Sequence, residues 1–378
     1  MSGYQKVIRG RESLNKLHEL AEKLDISRPM IVGLEPLTSN LMRKHPWLLH
    51  APVFSSFHAN PDLSDSASGS ALYKREACDG LISIGGGSSI DTAKAIKSYI
   101  SSENEEDVIH NRLSAGSGCP HIAIPGTAGT GSEATQIAVA YIDGQKVSLN
   151  HEILKPEGVI LDASLLDSLP MYHKKSCALD ALAQGIESYW SRGSNDESKV
   201  HAYLAILGVL DNLKGYLAGD PHAAEEMLDA SFQSGKAIQI TRTTAAHAMS
   251  YMLTKKFGLA HGHACMITLP VLWEMMQERE EMGKTLQELS GIMRLGNMRM
   301  VPKLLKGILF DLEMAVPPMP SQRVLEDLAD SVNAERLNNH PVIMNKQDVK
   351  LAYRRALLPP TDNEKQACLD IWRYYGRE

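Results

Sequence analysis

Leu81-Ile82-Ser83-Ile84-Gly85-Gly86-Gly87-Ser88-Ser89-Ile90-Asp91-Thr92-Ala93-Lys94-Ala95-Ile96 passes from a short apolar run through three glycines and a hydroxyl pair into a helical pattern. The apolar run reads as a buried strand. Glycines, having no Cβ, let backbone N–H groups approach an anion closely, and a helix starting near Ser88 adds the positive end of its dipole. That combination suits a pyrophosphate. It is not the GxGxxG fingerprint, and a tight structural turn has the same composition; the position between strand and helix favours the phosphate reading.

Working outward, Met30-Ile31-Val32-Gly33, His121-Ile122-Ala123-Ile124 and Gly158-Val159-Ile160-Leu161 are further strand candidates among helical patterns, the order expected of strand-helix-strand units and a mostly parallel sheet. A second loop of small residues, Pro125-Gly126-Thr127-Ala128-Gly129-Thr130-Gly131-Ser132-Glu133, follows the 121–124 run. Two such loops at successive strand ends favour a cofactor crevice over a pair of helix caps. Near Pro170 the texture changes: Cys177 to Trp190, Lys199 to Ala218 and Ala223 to Ile240 carry apolar residues at three- and four-residue spacing. The expectation is an α/β domain over residues 1–169 and an all-helical domain over 170–378.

Bulk properties narrow the function classes. With 39 Lys+Arg against 45 Asp+Glu the formal charge is -6, so there is no overall basic field for nucleic acid or anionic lipid, and an anionic substrate needs a local cluster of cations. Hydrophobic residues at 43% of 378 are enough for sizeable cores. Cys78, Cys119, Cys177, Cys265 and Cys368 are scattered, odd in number and never spaced CxxC, which argues against a disulfide framework or a thiolate zinc site. No secretory leader or apolar span is visible, so the expected location is cytoplasmic.

The second half carries the candidate metal chemistry. Asp180 and Gln184 lie four apart in a helical pattern and share a face. His247, in Thr243-Thr244-Ala245-Ala246-His247-Ala248-Met249-Ser250-Tyr251, and His261 and His263, in Gly258-Leu259-Ala260-His261-Gly262-His263-Ala264, sit among small apolar residues. Each alone is as well explained as a satisfied core histidine. Together they allow a divalent ion held by nitrogen and oxygen.

These stretches, with the 14-residue step from His247 to His261 and the late Asn339-His340-Pro341, resemble the iron-containing, group III alcohol dehydrogenase family over nearly the whole chain. The resemblance implies a dinucleotide-binding α/β domain followed by an all-α metal-binding domain, the architecture shared with dehydroquinate synthase. It implies NAD(H) or NADP(H) on Gly85, Gly86, Gly87 and Ser88, with Asp91 supporting that turn and Thr127, Thr130 and Lys146 facing the nucleotide. It also implies a divalent metal, Fe²⁺ before Zn²⁺, on Asp180, His247 and His261. The family's fourth ligand is a His, and here it is Gln184, which either ligates through its amide oxygen or orients a water. His247 and His261 hold the metal for catalysis, and Tyr251 or His263 relays the proton.

One branch of the family, reducing phosphonoacetaldehyde to 2-hydroxyethylphosphonate in phosphonate biosynthesis, looks nearer than the rest; for its dianion, Arg112, Arg242, Lys255 and His263 are the candidate donors. The implied reaction is NAD(P)H-linked reduction of a small aldehyde to a primary alcohol. The alternatives are a general alcohol or lactaldehyde-type dehydrogenase, a dehydroquinate synthase-like lyase, and a nucleotide-binding regulator. The family also implies a homodimer or larger homo-oligomer. At the end of the 30–33 strand, where the resemblance implies an Asp in members that prefer NAD, the chain reads Gly33-Leu34-Glu35; the missing Asp leaves NADPH open, the alternative is that Glu35 excludes the 2′-phosphate, and the expectation does not discriminate NADH from NADPH.

Overall fold

A computed structural model describes residues 5–58, 61–102, 104–114, 119–142, 145–332 and 337–375, with only the backbone of 145 and 146. The chain forms two compact units, Met1–Leu169 and Pro170–Glu378.

In the first unit, β1 (Lys6–Arg9), β2 (Pro29–Gly33), β3 (Val53–Phe54), β4 (Gly80–Gly85), β5 (His121–Pro125) and β8 (Gly158–Leu161) form one parallel sheet in the order β1-β8-β5-β4-β2-β3. β6 (Ile137–Ile142) and β7 (Gln145–Asn150) make a separate antiparallel pair. The helices are α1 (Leu17–Glu22), α2 (Leu37–Lys44), α3 (Leu63–Arg75), α4 (Gly87–Ile100) and α5 (Glu105–Ile109).

Strand alternation sends neighbouring side chains to opposite faces. Ile31, Ile82, Ile84, Ile122, Ile124 and Ile160 pack with Leu17 and Leu20 of α1 and Leu41 of α2. Met30, Val32 and Leu81 pack with Tyr73 of α3 and Ala93 and Ile96 of α4 on the other face. Both faces are covered, which is why β2, β4, β5 and β8 read as unbroken apolar runs. The chain therefore leaves β2 toward one face and β4, its immediate neighbour, toward the other. That reversal opens a crevice beyond the carboxyl ends of these strands. Register puts Gly33 opposite Ile84 and Gly85 opposite Pro125, so the turns after β2, β4 and β5 lie level along one edge.

The second unit contains α6 (Met171–Trp190), α7 (Asp196–Leu217), α8 (Pro221–Thr241), α9 (Ala245–Phe257), α10 (His261–Met276), α11 (Gly283–Ile292), α12 (Val301–Asp311), α13 (Gln322–Asp330), α14 (Lys346–Ala356) and α15 (Asp362–Tyr374). From Ala178 to Trp190 every residue of α6 is buried, the mark of a helix enclosed on all sides. Gly185 allows that enclosure: a Cβ there would stand 3.0 Å from Ile206 and 3.3 Å from the Ala202 carbonyl oxygen of α7. None of the described helices is long and apolar enough to cross a membrane.

Candidate active site

The helical unit gathers Asp180 from α6, His247 from the first turn of α9, and His261 and Cys265 from the first two turns of α10. One donor atom of each lies within 4.8 Å of all the others. His247 Nε2 is 3.2 Å and His261 Nε2 3.9 Å from Asp180 Oδ1, and Cys265 Sγ is 3.9 Å from His261 Nε2. A glycine makes the approach possible. A Cβ on Gly262 would stand 2.0 Å from the Ser176 carbonyl oxygen and 2.7 Å from the Asp180 amide nitrogen, so α10 meets the α6 backbone directly beside His261.

Both imidazoles are fixed through their remote nitrogens. Ser250 Oγ donates to the His247 carbonyl at 2.8 Å and so presents a lone pair to His261 Nδ1 at 3.2 Å, which places the His261 proton on Nδ1 and leaves Nε2 as the donor toward the cluster. His247 Nδ1–H donates to Glu187 Oε2. Glu187, fully buried on α6, also accepts from Thr244 Oγ1 at 2.5 Å and from the Ala246 amide at 2.7 Å, satisfying the start of α9. Trp190 Nε1 in turn donates to Thr244 Oγ1 at 3.0 Å. A carboxylate behind a histidine that faces a donor cluster is the arrangement that orients imidazoles on metals.

Burial works against the charged forms here, and the neighbours overrule it. For Glu187, His247 and the donated hydrogen bonds hold the carboxyl below its ordinary value despite burial. For His247, burial is outweighed by Cys265, Glu187 and Asp180, and the imidazole stands well above its ordinary value. Burial would raise the Cys265 thiol, but His247 and His261 bring it down to about 7. Such a cluster of mutually stabilised charges, with an oxygen, two imidazole nitrogens and a sulfur converging, fits a divalent ion.

Gln184 is buried on α6, its Oε1 accepting from Ser234 Oγ at 2.8 Å. The Tyr251 ring stacks on His261, with centroids 5.6 Å apart and planes at 18°. His263 is not with the cluster: two residues beyond His261 it points elsewhere, buried, with Nδ1 3.1 Å from Tyr172 Oη. Burial lowers its pKa and so disfavours the charged form that its expected place among the phosphonate donors asks for. Arg112 differs from expectation in the same sense: its guanidinium is bonded to Asp107 and Glu106. Arg242, at the end of α8 with φ 63°, and Lys255, in the last turn of α9, are exposed. Asn339 Nδ2 donates to the Thr241 and Thr243 carbonyls at 2.7 and 3.0 Å, pinning the segment that leads into α9 and His247.

In the first unit the glycine turn and the second loop are knitted together. Gly85 has φ +139°, open to glycine but strained for other residues, and the Gly126 amide donates to its carbonyl at 2.7 Å. A Cβ on Gly87 would stand 2.9 Å from Thr130 Cγ2, and one on Gly86 3.4 Å from Thr127 Cγ2. Asp91 binds the loop rather than solvent, accepting from Ser132 Oγ and from the Val139 amide at 3.0 Å. Buried Lys94 donates to the Ser132 carbonyl at 2.6 Å and the Ile137 carbonyl at 2.7 Å. Gly86, Gly87, Ser88, Thr127 and Thr130 stay partly exposed around the first turn of α4, a cradle that added Cβ atoms would fill. It fits a dinucleotide phosphate. The side chain of Lys146 lies outside the described residues. Glu35 stands two residues past β2 on the same edge, accepting from Thr38 Oγ1 at 3.0 Å and Ser39 Oγ at 2.5 Å, which hold its carboxyl below the ordinary value.

Sequence reasoning missed Cys265 and Glu187. Glu187 carried a signal, since residues 180, 184 and 187 share one helical face. Cys265 is one turn after His261 and carried the same one.

Comparison with known proteins identifies the family. The family model for iron-containing alcohol dehydrogenase matches residues 5–163, and that for the C-terminal part of the Fe-containing alcohol dehydrogenase family matches 175–357. The chain is 34% identical over 226 residues to the probable alcohol dehydrogenase EutG of Escherichia coli K12, covering 57% of this chain and 55% of that protein. It is also 34% identical over 225 residues to the phosphonoacetaldehyde reductase of Streptomyces viridochromogenes, covering 56% and 57%. The matched stretches thus span little more than half the length of these relatives. In fold it is similar to the sulfoacetaldehyde reductase of Bifidobacterium kashiwanohense solved with NAD+, with a TM-score of 0.84, 24% identity, and 93% and 97% of the two chains covered. With one half of the family's sequence pattern matched in each unit, the chain belongs to the iron-containing alcohol dehydrogenase family.

Proposed function

We propose that this protein catalyses the metal-dependent, NAD(P)H-linked reduction of a small aldehyde to a primary alcohol. The observation carrying this reading is the convergence of Asp180, His247 and His261, each imidazole oriented from behind by Glu187 or Ser250. Asp180, His247 and His261 would hold the divalent ion, which when bound supplies Lewis acidity toward a carbonyl oxygen. The glycine turn with Ser88, Thr127 and Thr130 would hold the pyrophosphate side of the nucleotide, with Asp91 and Lys94 keeping the two loops in register. The nucleotide, when bound, would supply the hydride that reduces the carbonyl carbon, with a proton going to the oxygen to give the alcohol and NAD(P)+. Tyr251, stacked on His261, is the proposed proton donor; Tyr251→Phe should lower kcat with little change in nucleotide binding.

Glu35 supports NADH over NADPH. Its ionised carboxylate stands at the end of β2 beside the crevice, where it accepts from a ribose hydroxyl and repels a 2′-phosphate.

For the substrate we propose phosphonoacetaldehyde, on the likeness to the Streptomyces reductase. Exposed Arg242, three residues before α9, and exposed Lys255, in the last turn of α9, the helix that carries His247, are the cations proposed for its phosphonate. A panel of aldehydes with and without a phosphonate group, assayed with NADH and NADPH after reconstitution with Fe²⁺ or Zn²⁺, tests both levels. No NAD(P)H consumption with any aldehyde refutes the reductase reading. Equal kcat/KM for phosphonoacetaldehyde and an uncharged aldehyde of the same size refutes the phosphonate reading alone.

A further inference from the structure

We propose that Cys265 Sγ is the fourth protein donor to the metal, and that Gln184 stands outside the coordination shell. The inference rests on the metal-site reading above and changes its chemistry. The 14-residue step from His247 to His261 spaces the two imidazoles, and one further helical turn along α10 brings Cys265 to the face that His261 occupies.

Geometry supports the set. A tetrahedral site with donors about 2.0–2.3 Å from the ion has donor atoms about 3.3–3.8 Å apart. The separations from Asp180 to His247, Asp180 to His261 and His261 to Cys265 are 3.2, 3.9 and 3.9 Å, and no donor atom of the four is more than 4.8 Å from another. Three of the six edges are thus close to those of a tetrahedral site, and the other three lie within 4.8 Å. Cys265 is fully buried, as are Asp180 and His247 nearly so, and His261 forms the partly open side.

Donor chemistry argues in the same direction. A thiolate is a far better ligand for a borderline-soft ion than a neutral amide oxygen, and the amide of Gln184 already accepts the Ser234 hydroxyl at 2.8 Å. Gln184 is then a positioning residue on α6, one turn beyond Asp180 and bonded to Ser234 of α8. A Cys265 thiolate adds a third negative charge to those of Asp180 and of Glu187 behind His247, which strengthens the hold on a divalent cation in this buried site. The thiolate also moves the preference from Fe²⁺ toward Zn²⁺.

X-ray absorption spectroscopy on the full-length protein loaded with one equivalent of Zn²⁺ decides the matter. The expected spectrum has one sulfur neighbour at about 2.3 Å beside nitrogen and oxygen neighbours at about 2.0–2.2 Å. That sulfur should persist in Gln184→Ala and vanish in Cys265→Ser, with Zn²⁺ affinity falling in Cys265→Ser by more than the ~10–100-fold typical of losing an outer partner. Cobalt(II) loading should give a sulfur-to-metal charge-transfer band that only Cys265→Ser removes. If Cys265→Ser does not fold, the wild-type spectrum still answers. A shell of nitrogen and oxygen only, or a sulfur that survives Cys265→Ser, overturns the proposal and leaves the metal site of Asp180, His247 and His261 standing. Failure of the wild-type protein to retain any divalent ion overturns both.

Discussion

Gly262 lies so close to Ser176 that a Cβ would come within 2.0 Å of the Ser176 carbonyl oxygen, a backbone atom that cannot rotate away. This contact sets how near α10 comes to α6, and therefore how near His261 comes to Asp180. Gly262→Ala must push the helices apart, at a cost of about 1–3 kcal/mol or more for overpacking. The expected outcome is a lower unfolding midpoint in urea and loss of tightly bound metal, measured by elemental analysis after dialysis. Unchanged metal retention would show that the glycine is not what sets the site.

Glu187→Gln keeps the size of the side chain and removes the charge that faces His247 Nδ1. The amide can still accept from Thr244 or Ala246, but its NH₂ group confronts donors, and a buried His247 loses its carboxylate. Metal affinity should fall about 10–100-fold, as for other outer partners of ligating histidines. Stability of the metal-free protein should fall by about 3–5 kcal/mol, since half of a buried pair is removed. Competition titration against a chelator and chemical denaturation measure the two effects separately.

Buried Glu133 gives the first unit a pH dependence of definite sign. Burial pushes its carboxyl up from 4.5 to about 7, and one carboxylate oxygen, Oε1, has no hydrogen-bond partner among the described residues. Between these two values the folded protein binds more protons than the unfolded chain, so stability falls as pH rises from about 4.5 to about 7, by up to roughly 3 kcal/mol at 1.36 kcal/mol per unit. Lys94, drawn down by burial to about 8, acts with the opposite sign in the alkaline range: stability rises as pH climbs from there toward its ordinary 10.5. Glu133→Gln should flatten the acidic slope and, because the Glu133 carboxylate helps keep the Lys94 ammonium charged, let the alkaline rise begin at a lower pH. Denaturation curves at stepped pH check this, and an unchanged acidic slope would assign it elsewhere.

The parts legible in the sequence were those decided by local pattern. β2, β4, β5 and β8 are buried on both faces, so their apolar runs stand out, and the glycine turn between β4 and α4 is written in consecutive residues. β1, with a lysine and an arginine at its ends, and two-residue β3 owe their strand character to pairing at the sheet edges, which no local window shows. The β6 and β7 pair follows the second loop and borrows its core from α4, Leu63 and Leu154. At the donor cluster, Asp180, His247 and His261 were picked out through the family resemblance, since only Asp180 and Gln184 stand at helical spacing and each histidine alone reads equally as a core residue. Cys265 was hidden because its thiol was weighed against other cysteines, while its partners are imidazoles and a carboxylate from three helices. His263 was overvalued for the converse reason: two residues from His261 in sequence places it on a different side of α10, against Tyr172.

The packing of Gly87 on Thr130 separates the nucleotide cradle from the metal cluster by experiment. A methyl group on Gly87 would meet Thr130 Cγ2 at 2.9 Å and Oγ1 at 3.0 Å, so in Gly87→Ala the Thr130 side chain must shift, and with it the wall of the cradle between the second loop and the first turn of α4. The NADH dissociation constant, read from nicotinamide fluorescence, should rise about 10-fold or more, equivalent to about 1.4 kcal/mol. Metal content should not change, because no residue of the donor cluster belongs to this unit. Thr130→Ala removes both clashing atoms, and the double variant should recover stability relative to Gly87→Ala alone, with a coupling of about 0.5–3 kcal/mol expected of residues in contact. Strict additivity of the two substitutions would mean that the loops are not held by this contact, and the close approach of Gly87 would then need another purpose.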